Sequence, residues 1–402
     1  MSDERVRHEL DQLKAGIIDL YTEEDLVKKM TRFHREGKPM VVKAGFDPTS
    51  SDIHLGHTVL MNKMRQFQDM GHRVAYVVGD ATAMIGDPTG RNKTRKVLTR
   101  DEILEHAKTY ATQAFKILDP QKTEMVFNST WLFKLDFIKL IDLTSKYNVA
   151  RMLEREDFKN RFKSGDSISV HEFLYPLAQG YDSVALKSDV ELGGTDQIFN
   201  LLVGRKLQAD YGQEPQVVMT VPLLVGLDGT QKMSKSYGNY IGVTEPADTM
   251  FAKVMSISDD LMWSYYELLT TVPVEEIAAM KSGIQNDTVH PRDCKVNLAL
   301  FITARFHGEP AAREAKENFY RDVPSNLAEY SVTLPEGGMP LVDLIAQLGF
   351  TESKGDARRM LQQGGVYIDA QKVTDAALKI TSKDSFVLKA GKKKIGRINF
   401  IS

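Results

Sequence analysis

Apolar residues along this chain switch between two periods, and the switches mark its elements. Residues 1–39 are mostly polar, with Leu10, Leu13, Ile17 and Leu20 at helical spacing, which predicts helix. A short apolar run over 40–46 predicts a buried strand. Asp47-Pro48-Thr49-Ser50-Ser51-Asp52 stops it, because proline and small polar residues favour a turn and cap the next element. That element is a helix over about 54–70, with Leu60, Met64 and Phe67 on one face and Gly71 at its end. Residues 74–78 read as a second buried strand. Strand, turn, helix and strand in this order predict a parallel βαβ unit and hence an α/β fold.

Further strands are expected at 124–127, 189–192 and 216–225, and a helix at 137–147. The charged stretch 150–172 has no clear period and reads as part of an insertion, about 120–188, into a sheet domain spanning 1–230. A mobile loop and linker are expected over 231–245 and a helical domain over 246–325. Pro324, Pro335, Gly337, Gly338 and Pro340 mark a second linker. Two amphipathic helices, 341–348 and 354–363, then precede short strands in a small α+β domain at 337–402.

With 402 residues and 42% hydrophobic content, the chain exceeds one core and divides into two or three domains. Its 26% charged residues describe a folded protein rather than a disordered one. The net charge of −2 neither demands nor excludes a nucleic-acid partner, but its distribution is uneven. Residues 337–402 carry 8 Lys and 3 Arg against 6 Asp and Glu, hence +5, which leaves −7 on the rest. A lone Cys294 can form no internal disulfide, and no cysteine cluster is present to hold zinc. A charged N-terminus and the lack of a long apolar run predict a reduced, cytoplasmic protein without a membrane span.

Two short motifs bear on chemistry. His54-Leu55-Gly56-His57 opens the first long helix. Free backbone N–H groups and the helix dipole attract phosphate there, two imidazoles add donors, and Gly56 lets a flat ring approach. A surface turn with incidental histidines explains those four residues equally well. Lys232-Met233-Ser234-Lys235-Ser236 comes after the strand at 216–225 and the turn Asp228-Gly229. Its two ammonium groups can close on a polyphosphate and neutralise a departing pyrophosphate, although a solvated basic loop has the same composition.

Together and in this order, the two motifs resemble the signatures of the class I aminoacyl-tRNA synthetases. Four intervening segments narrow the resemblance to the tyrosyl-tRNA synthetase family. They are Gly45-Phe46-Asp47-Pro48-Thr49, the run from Met84 to Gly90, Tyr175-Pro-Leu-Ala-Gln-Gly-Tyr-Asp182 and Gly193-Gly194-Thr195-Asp196-Gln197. The stretch from Ser353 to Ile368 resembles the S-four-type RNA-binding domain, so the likeness covers nearly the whole chain.

The resemblance implies a Rossmann-like parallel sheet that binds tyrosine and ATP, with a helical domain against the anticodon stem. Asp87, Tyr175 and Gln179 match positions that hold the amino acid's ammonium; Asp182 matches the reader of its phenol and Gln197 a residue near its carboxylate. Outside that family, Asp87 reads as a turn aspartate before Pro88. Asp47, Gly56, Gly193, Asp196 and Lys235 match the ATP site, with Asp196 on the ribose. Thr49, His54, His57, Lys232 and Lys235 match the catalytic set around the phosphates. Arg91 and Arg95 lie in a basic stretch suited to pyrophosphate, to the tRNA acceptor end or to solvent. Two departures stand out: Lys43 where the family often has tyrosine, and Glu191 where glutamine is common. Lys43 is free to pair with a carboxylate, or another donor serves the pocket.

The implied activity is tyrosine–tRNA ligation through a tyrosyl-adenylate, with Mg2+ carried on ATP, no dedicated metal site and transfer to the 2′-hydroxyl of tRNA(Tyr). Arg358, Arg359 and Lys392 would face RNA. A homodimer is implied through the α/β domain. Two rival readings stay open: a tryptophanyl-tRNA synthetase, and a non-catalytic RNA-binding scaffold on the same fold.

Overall fold

The runs read as buried strands pair into one sheet. The computed structural model describes residues 2–48, 52–89, 99–321, 328–335, 337–369, 371–381, 385–391 and 394–401. The chain divides into two units, 1–309 and 310–402. In the first, β1 (Asp19–Tyr21), β2 (Val41–Phe46), β3 (Arg73–Val78), β4 (Thr123–Phe127), β5 (Val190–Gly194) and β6 (Val217–Val221) lie in the order β1-β6-β5-β2-β3-β4. All pairs are parallel except β1 with β6. Every residue of β6 and all but the first of β3 are buried, as a sheet covered on both faces requires. The chain winds from β2 outward through β3 to β4, then returns to the other side of β2 for β5 and β6. Strand order therefore reverses between β2 and β5, and a crevice opens at their carboxyl ends.

The expected βαβ unit is present as β2, the helix Leu55–Asp69 and β3. Residues 1–39 are more varied than expected. Helices Ser2–Lys14 and Glu23–Glu36 flank β1, an edge strand of three residues, too short for a period to show. Lys63 is buried and donates to the carbonyls of Leu13 (3.0 Å) and Ala15 (2.7 Å), satisfying groups at a helix end that would otherwise lack partners.

The charged stretch between β4 and β5 is helical, with Ser129–Leu132, Phe137–Ser145, Val149–Met152 and Glu156–Ser164 leading to the long helix Leu174–Leu186. Leu143, Met152 and Phe158 are buried with Leu177, Val184, Val203 and Leu207. Arg161 grips Glu172 through two hydrogen bonds of 2.6 and 2.9 Å. Helices Ala247–Met255, Asp259–Leu269, Val274–Gln285 and Pro291–His307 lie in the same unit as the sheet, and Cys294 is buried on the last of them.

In the second unit, β7 (Ala328–Thr333), β8 (Met339–Pro340), β9 (Val366–Ile368), β10 (Gln371–Val373), β11 (Lys379–Ile380), β12 (Phe386–Ala390) and β13 (Lys394–Ile401) form two sheets. The larger has the order β10-β9-β12-β13-β7. Helices Leu341–Gln347 and Lys354–Gln362 share its core, with Leu341, Leu344, Ile345, Leu361 and Leu388 fully buried. β7 falls inside the expected second linker. It pairs parallel to β13, and Val332 is the only one of its six residues that is buried, so its sequence gives little strand signal.

Candidate active site

A cavity of about 600 Å³ opens where β2 and β5 end. It is lined by every expected residue of the first unit that the structure describes: Asp47, His54, Gly56, His57, Asp87, Tyr175, Gln179, Asp182, Gly193, Asp196, Gln197, Lys232 and Lys235. Thr49, Arg91 and Arg95 lie outside the described residues.

The two motifs meet although they are far apart in sequence. Beyond the lysine loop, the chain pairs with the start of the helix Leu55–Asp69: Leu55 N–H donates to Ile241 O and Val243 N–H to Ile53 O, each at 2.9 Å. Gly56 faces Met233, whose Cβ would lie 3.5 Å from a side chain added there. Asn239 shapes the loop, accepting from Ser234 N–H (2.8 Å) and donating to Asp228 (2.6 Å). At the rim, Lys232 Nζ binds Asp196 Oδ2 at 2.6 Å and Lys235 Nζ meets Asp52 Oδ2 at 3.5 Å.

The His54 and His57 rings lie 3.8 Å apart. Burial, the His57 ring and the nearby Lys235 and Lys232 lower the His54 imidazole to about 2. Burial and Lys235 lower His57 to about 4. Both are therefore neutral at pH 7. His57 Nδ1 accepts the His54 N–H (3.2 Å), so a neutral His57 keeps its proton on Nε2 as a donor. His54 Nδ1 is buried with no partner among the described residues. The motif thus presents uncharged polar groups, and positive charge comes from the lysines.

Carboxylates line the same cavity. Asp87 Oδ1 accepts from Thr89 N–H (2.9 Å), Thr89 Oγ1–H (2.6 Å) and Arg155 Nη2 (3.1 Å), and its Oδ2 accepts from Gln197 Nε2 (2.9 Å). Burial works to raise its carboxyl, but Arg155's charge and these bonds outweigh it and hold Asp87 below the usual range. Asp47 accepts from Tyr175 Oη (2.8 Å) and Thr82 Oγ1 (2.8 Å). Gly79 permits this, because a Cβ there would lie 2.0 Å from Asp47 Oδ1. Gln179 Oε1 is buried with no partner among the described residues. Deeper, Asp182 accepts from Trp131 Nε1 (2.8 Å) and Asn128 Nδ2 (3.3 Å). Burial pushes its carboxyl up to about 7 against the opposing pull of Lys43 and these donors.

Lys43 and Glu191 are register partners on β2 and β5. They bind each other at 2.8 Å with each side chain 1% exposed. Each departure from the family pattern therefore answers the other. The sequence did not single out Arg155, Asn128 or Trp131. Trp131, one of two tryptophans in the chain, was the most visible signal, whereas Arg155 was lost in a charged run. Among the described residues no three His, Cys, Asp or Glu side chains converge to hold a metal ion, and no helix is long and apolar enough to cross a membrane. In the second unit Arg358 and Arg359 are exposed on their helix, while Lys392 lies outside the described residues.

Comparison with known proteins agrees in both units. The family of class I tRNA synthetases (W and Y) matches residues 35–321, and the tyrosine–tRNA ligase SYY-like C-terminal domain matches 314–396. The tyrosine–tRNA ligase of Geobacter sulfurreducens is 51% identical over 98% of this chain and 99% of its own. That of Methylococcus capsulatus is 52% identical over 97% and 98%. In fold, the chain resembles a C-terminally truncated mitochondrial tyrosyl-tRNA synthetase of Aspergillus nidulans, with a TM-score of 0.64 and 21% identity over 79% of this chain and 93% of that one. It also resembles the Archaeoglobus fulgidus tyrosyl-tRNA synthetase complexed with L-tyrosine, with a TM-score of 0.62 and 22% identity over 77% and 99%. Two histidines, two lysines and buried carboxylates lining one cavity, with these matches along nearly the whole chain, place it in the class I aminoacyl-tRNA synthetases, as a member of the tyrosine–tRNA ligase family.

Proposed function

We propose that this chain activates tyrosine with ATP and transfers it to tRNA(Tyr), and that the residues lining the cavity divide the work by charge. The observation that carries the reading is that His54, His57, Lys232 and Lys235 line one cavity together with Asp87 and Asp182. Tyrosine lies with its ammonium toward Asp87, Tyr175 and Gln179 and its phenol toward Asp182. Gln197 stands near its carboxylate. ATP lies along Asp47, Gly56, Gly193 and Asp196, with its phosphates toward the histidines and lysines; Thr49 belongs to the same set.

An oxygen of the tyrosine carboxylate attacks the α-phosphorus. The bond to the β-phosphate bridging oxygen breaks, and pyrophosphate leaves. The carboxylate is already a nucleophile, so positioning and charge stabilisation suffice. Mg2+ enters complexed to ATP, with no protein site of its own in this reading. The 2′-hydroxyl of the terminal tRNA ribose then attacks the tyrosyl carbonyl, and AMP departs. Arg358, Arg359 and Lys392 supply part of the basic face toward RNA.

The reading includes a cytoplasmic homodimer. Its support is the insertion, where Phe137, Ile138 and Ile141 share one helix face and are 74%, 72% and 48% exposed. An exposed apolar face of this kind marks an interaction surface, which a second copy of the chain would cover. Phe137→Asp with Ile138→Asp is expected to yield monomers in sedimentation, and an unchanged mass would remove that face from the interface. ATP–pyrophosphate exchange across all twenty amino acids tests the activity. Tyrosine alone is expected to support it, followed by charging of tRNA(Tyr). Tryptophan-dependent exchange, or RNA binding without exchange, would replace the reading.

A further inference from the structure

A buried ion pair costs several kcal/mol of desolvation per ion, and an apolar pair often packs as well. Lys43 and Glu191 nevertheless sit side by side in the centre of the sheet. Both also hold the helix Leu174–Leu186. Lys43 Nζ lies 3.5 Å from the Gln179 carbonyl, and Glu191 Oε2 accepts from Ser183 Oγ at 3.1 Å. Residues 179 and 183 are one turn apart, and that turn carries Asp182. Gln216 Nε2 completes the cluster with a second bond to Glu191 Oε2. Gly204 leaves room for it, since a Cβ there would lie 2.6 Å from Ser183 Oγ and 3.1 Å from Glu191 Oε2.

We propose that Lys43 and Glu191 are positioning residues for the tyrosine pocket: they clasp the helical turn that bears Asp182 and jointly set whether that carboxyl is charged when the phenol arrives. This rests on the assignment of Asp182 to the phenol. Lys43 favours the carboxylate, which accepts a hydrogen bond from the phenol O–H; Glu191 opposes it. The other groups around Asp182 are neutral or engaged. Trp131 and Asn128 are neutral donors, and Asp80 on the helix Asp80–Ile85 accepts from Ser129 N–H. From the insertion, Glu172 is held by Arg161, and Asp142 by Tyr211 and Lys146. The helix Ile198–Asp210 presents Gly204 to this turn. Lys43 thereby acts through the carboxylate, where the family's usual tyrosine would touch the substrate itself.

The two members of the pair therefore act on Asp182 with opposite sign, which a merely structural pair would not do. The test is the acid limb of kcat/KM for tyrosine in pyrophosphate exchange, from pH 5.5 to 8.5, for the parent, Lys43→Met, Glu191→Gln and the double variant. Removing the cation is expected to move the midpoint up by about one pH unit and cut kcat/KM at pH 6 by up to about tenfold, chiefly through KM. Glu191→Gln is expected to move it down. The double variant is expected to return close to the parent, and with Glu191→Gln it carries the test if Lys43→Met does not fold. Midpoints that move in one direction together, or not at all, overturn the proposal. A parent that shows no tyrosine-dependent exchange overturns the underlying assignment as well, so the two failures are distinct.

Discussion

Replacing Arg155 by methionine is the sharpest test of how Asp87, the proposed partner of the tyrosine ammonium, is held. The guanidinium is 5% exposed and faces Asp87 (3.1 Å) and Asp157 (2.8 Å), whose side chains are 23% and 14% exposed. Removing one partner of a fully buried pair costs roughly 3–5 kcal/mol. Water reaches both carboxylates here, so the expected loss is about 2–3 kcal/mol. The sign with pH is set by Asp87. Its carboxyl lies below its unfolded value, so it contributes stability above the ordinary carboxylate range and loses it as pH falls through the depressed value. Methionine removes that contribution, so parent and variant should differ most near pH 7 and converge in acid. Urea unfolding at pH 7 and at about pH 2.5, below the ordinary carboxylate range, measures this. Asp87 Oδ1 also loses one of its three donors, the charged one, so in the proposed function KM for tyrosine should rise about tenfold, consistent with about 1.4 kcal/mol, while KM for ATP stays within about twofold. A variant within about 0.5 kcal/mol of the parent and with an unchanged KM for tyrosine would refute the reasoning.

Lys235→Ala should lower tyrosine-dependent exchange about a hundredfold while equilibrium tyrosine binding holds, because its charge is needed as pyrophosphate departs; unaltered exchange would remove that lysine from the mechanism. Gly79→Ala would place a methyl 2.0 Å from Asp47 Oδ1 and 2.4 Å from Thr82 Oγ1. It should cost about 1–3 kcal/mol in thermal or urea unfolding and raise KM for tyrosine, as displacement of Asp47 frees Tyr175. His57 is held neutral with its folded value lowered to about 4. Its contribution to stability is complete above about pH 6.5 and is lost as pH falls toward 4. His57→Asn should therefore flatten the stability profile over that window, and a parallel profile would show that another group causes the slope.

Much of the first unit was legible because its strands are continuous apolar runs and its helices carry clear faces. Met40 to Phe46, the helix after it and the second strand each fell within a residue or two of where they lie. Asp19–Tyr21 and Ala328–Thr333 were not legible, because edge strands draw stability from one neighbour's backbone and their side chains record little of it. In the cavity, the residues of short contiguous motifs could be read directly. Residues that act through another side chain could not. Arg155 reaches Asp87 across 68 positions, and Trp131 reaches Asp182 across 51. Lys43 and Glu191 were visible only as departures; that they answer each other depends on β2 and β5 being neighbours, which no local pattern states.

The ion pairs in and around the cavity are of two grades, and the difference bears on how binding energy is used. Lys232 and Asp196 are 41% and 23% exposed, and Lys235 and Asp52 are 22% and 44% exposed. Pairs so open to water are worth at most about 1 kcal/mol, so a triphosphate can take the lysines from their carboxylates at little cost. In the proposed function, Asp196, once released, is available to the ribose of ATP. Lys43 and Glu191, 1% exposed, are not exchangeable in this way. In the proposed function, the exchangeable charges are the ones that meet the charge developing during the reaction, and the fixed ones lie beneath the proposed phenol site. Interactions that strengthen only as pyrophosphate separates raise kcat, whereas those formed on binding set which amino acid enters. On this division, variants at the rim should act on kcat and variants beneath the phenol on KM, and a floor variant that lowered kcat alone would break the division.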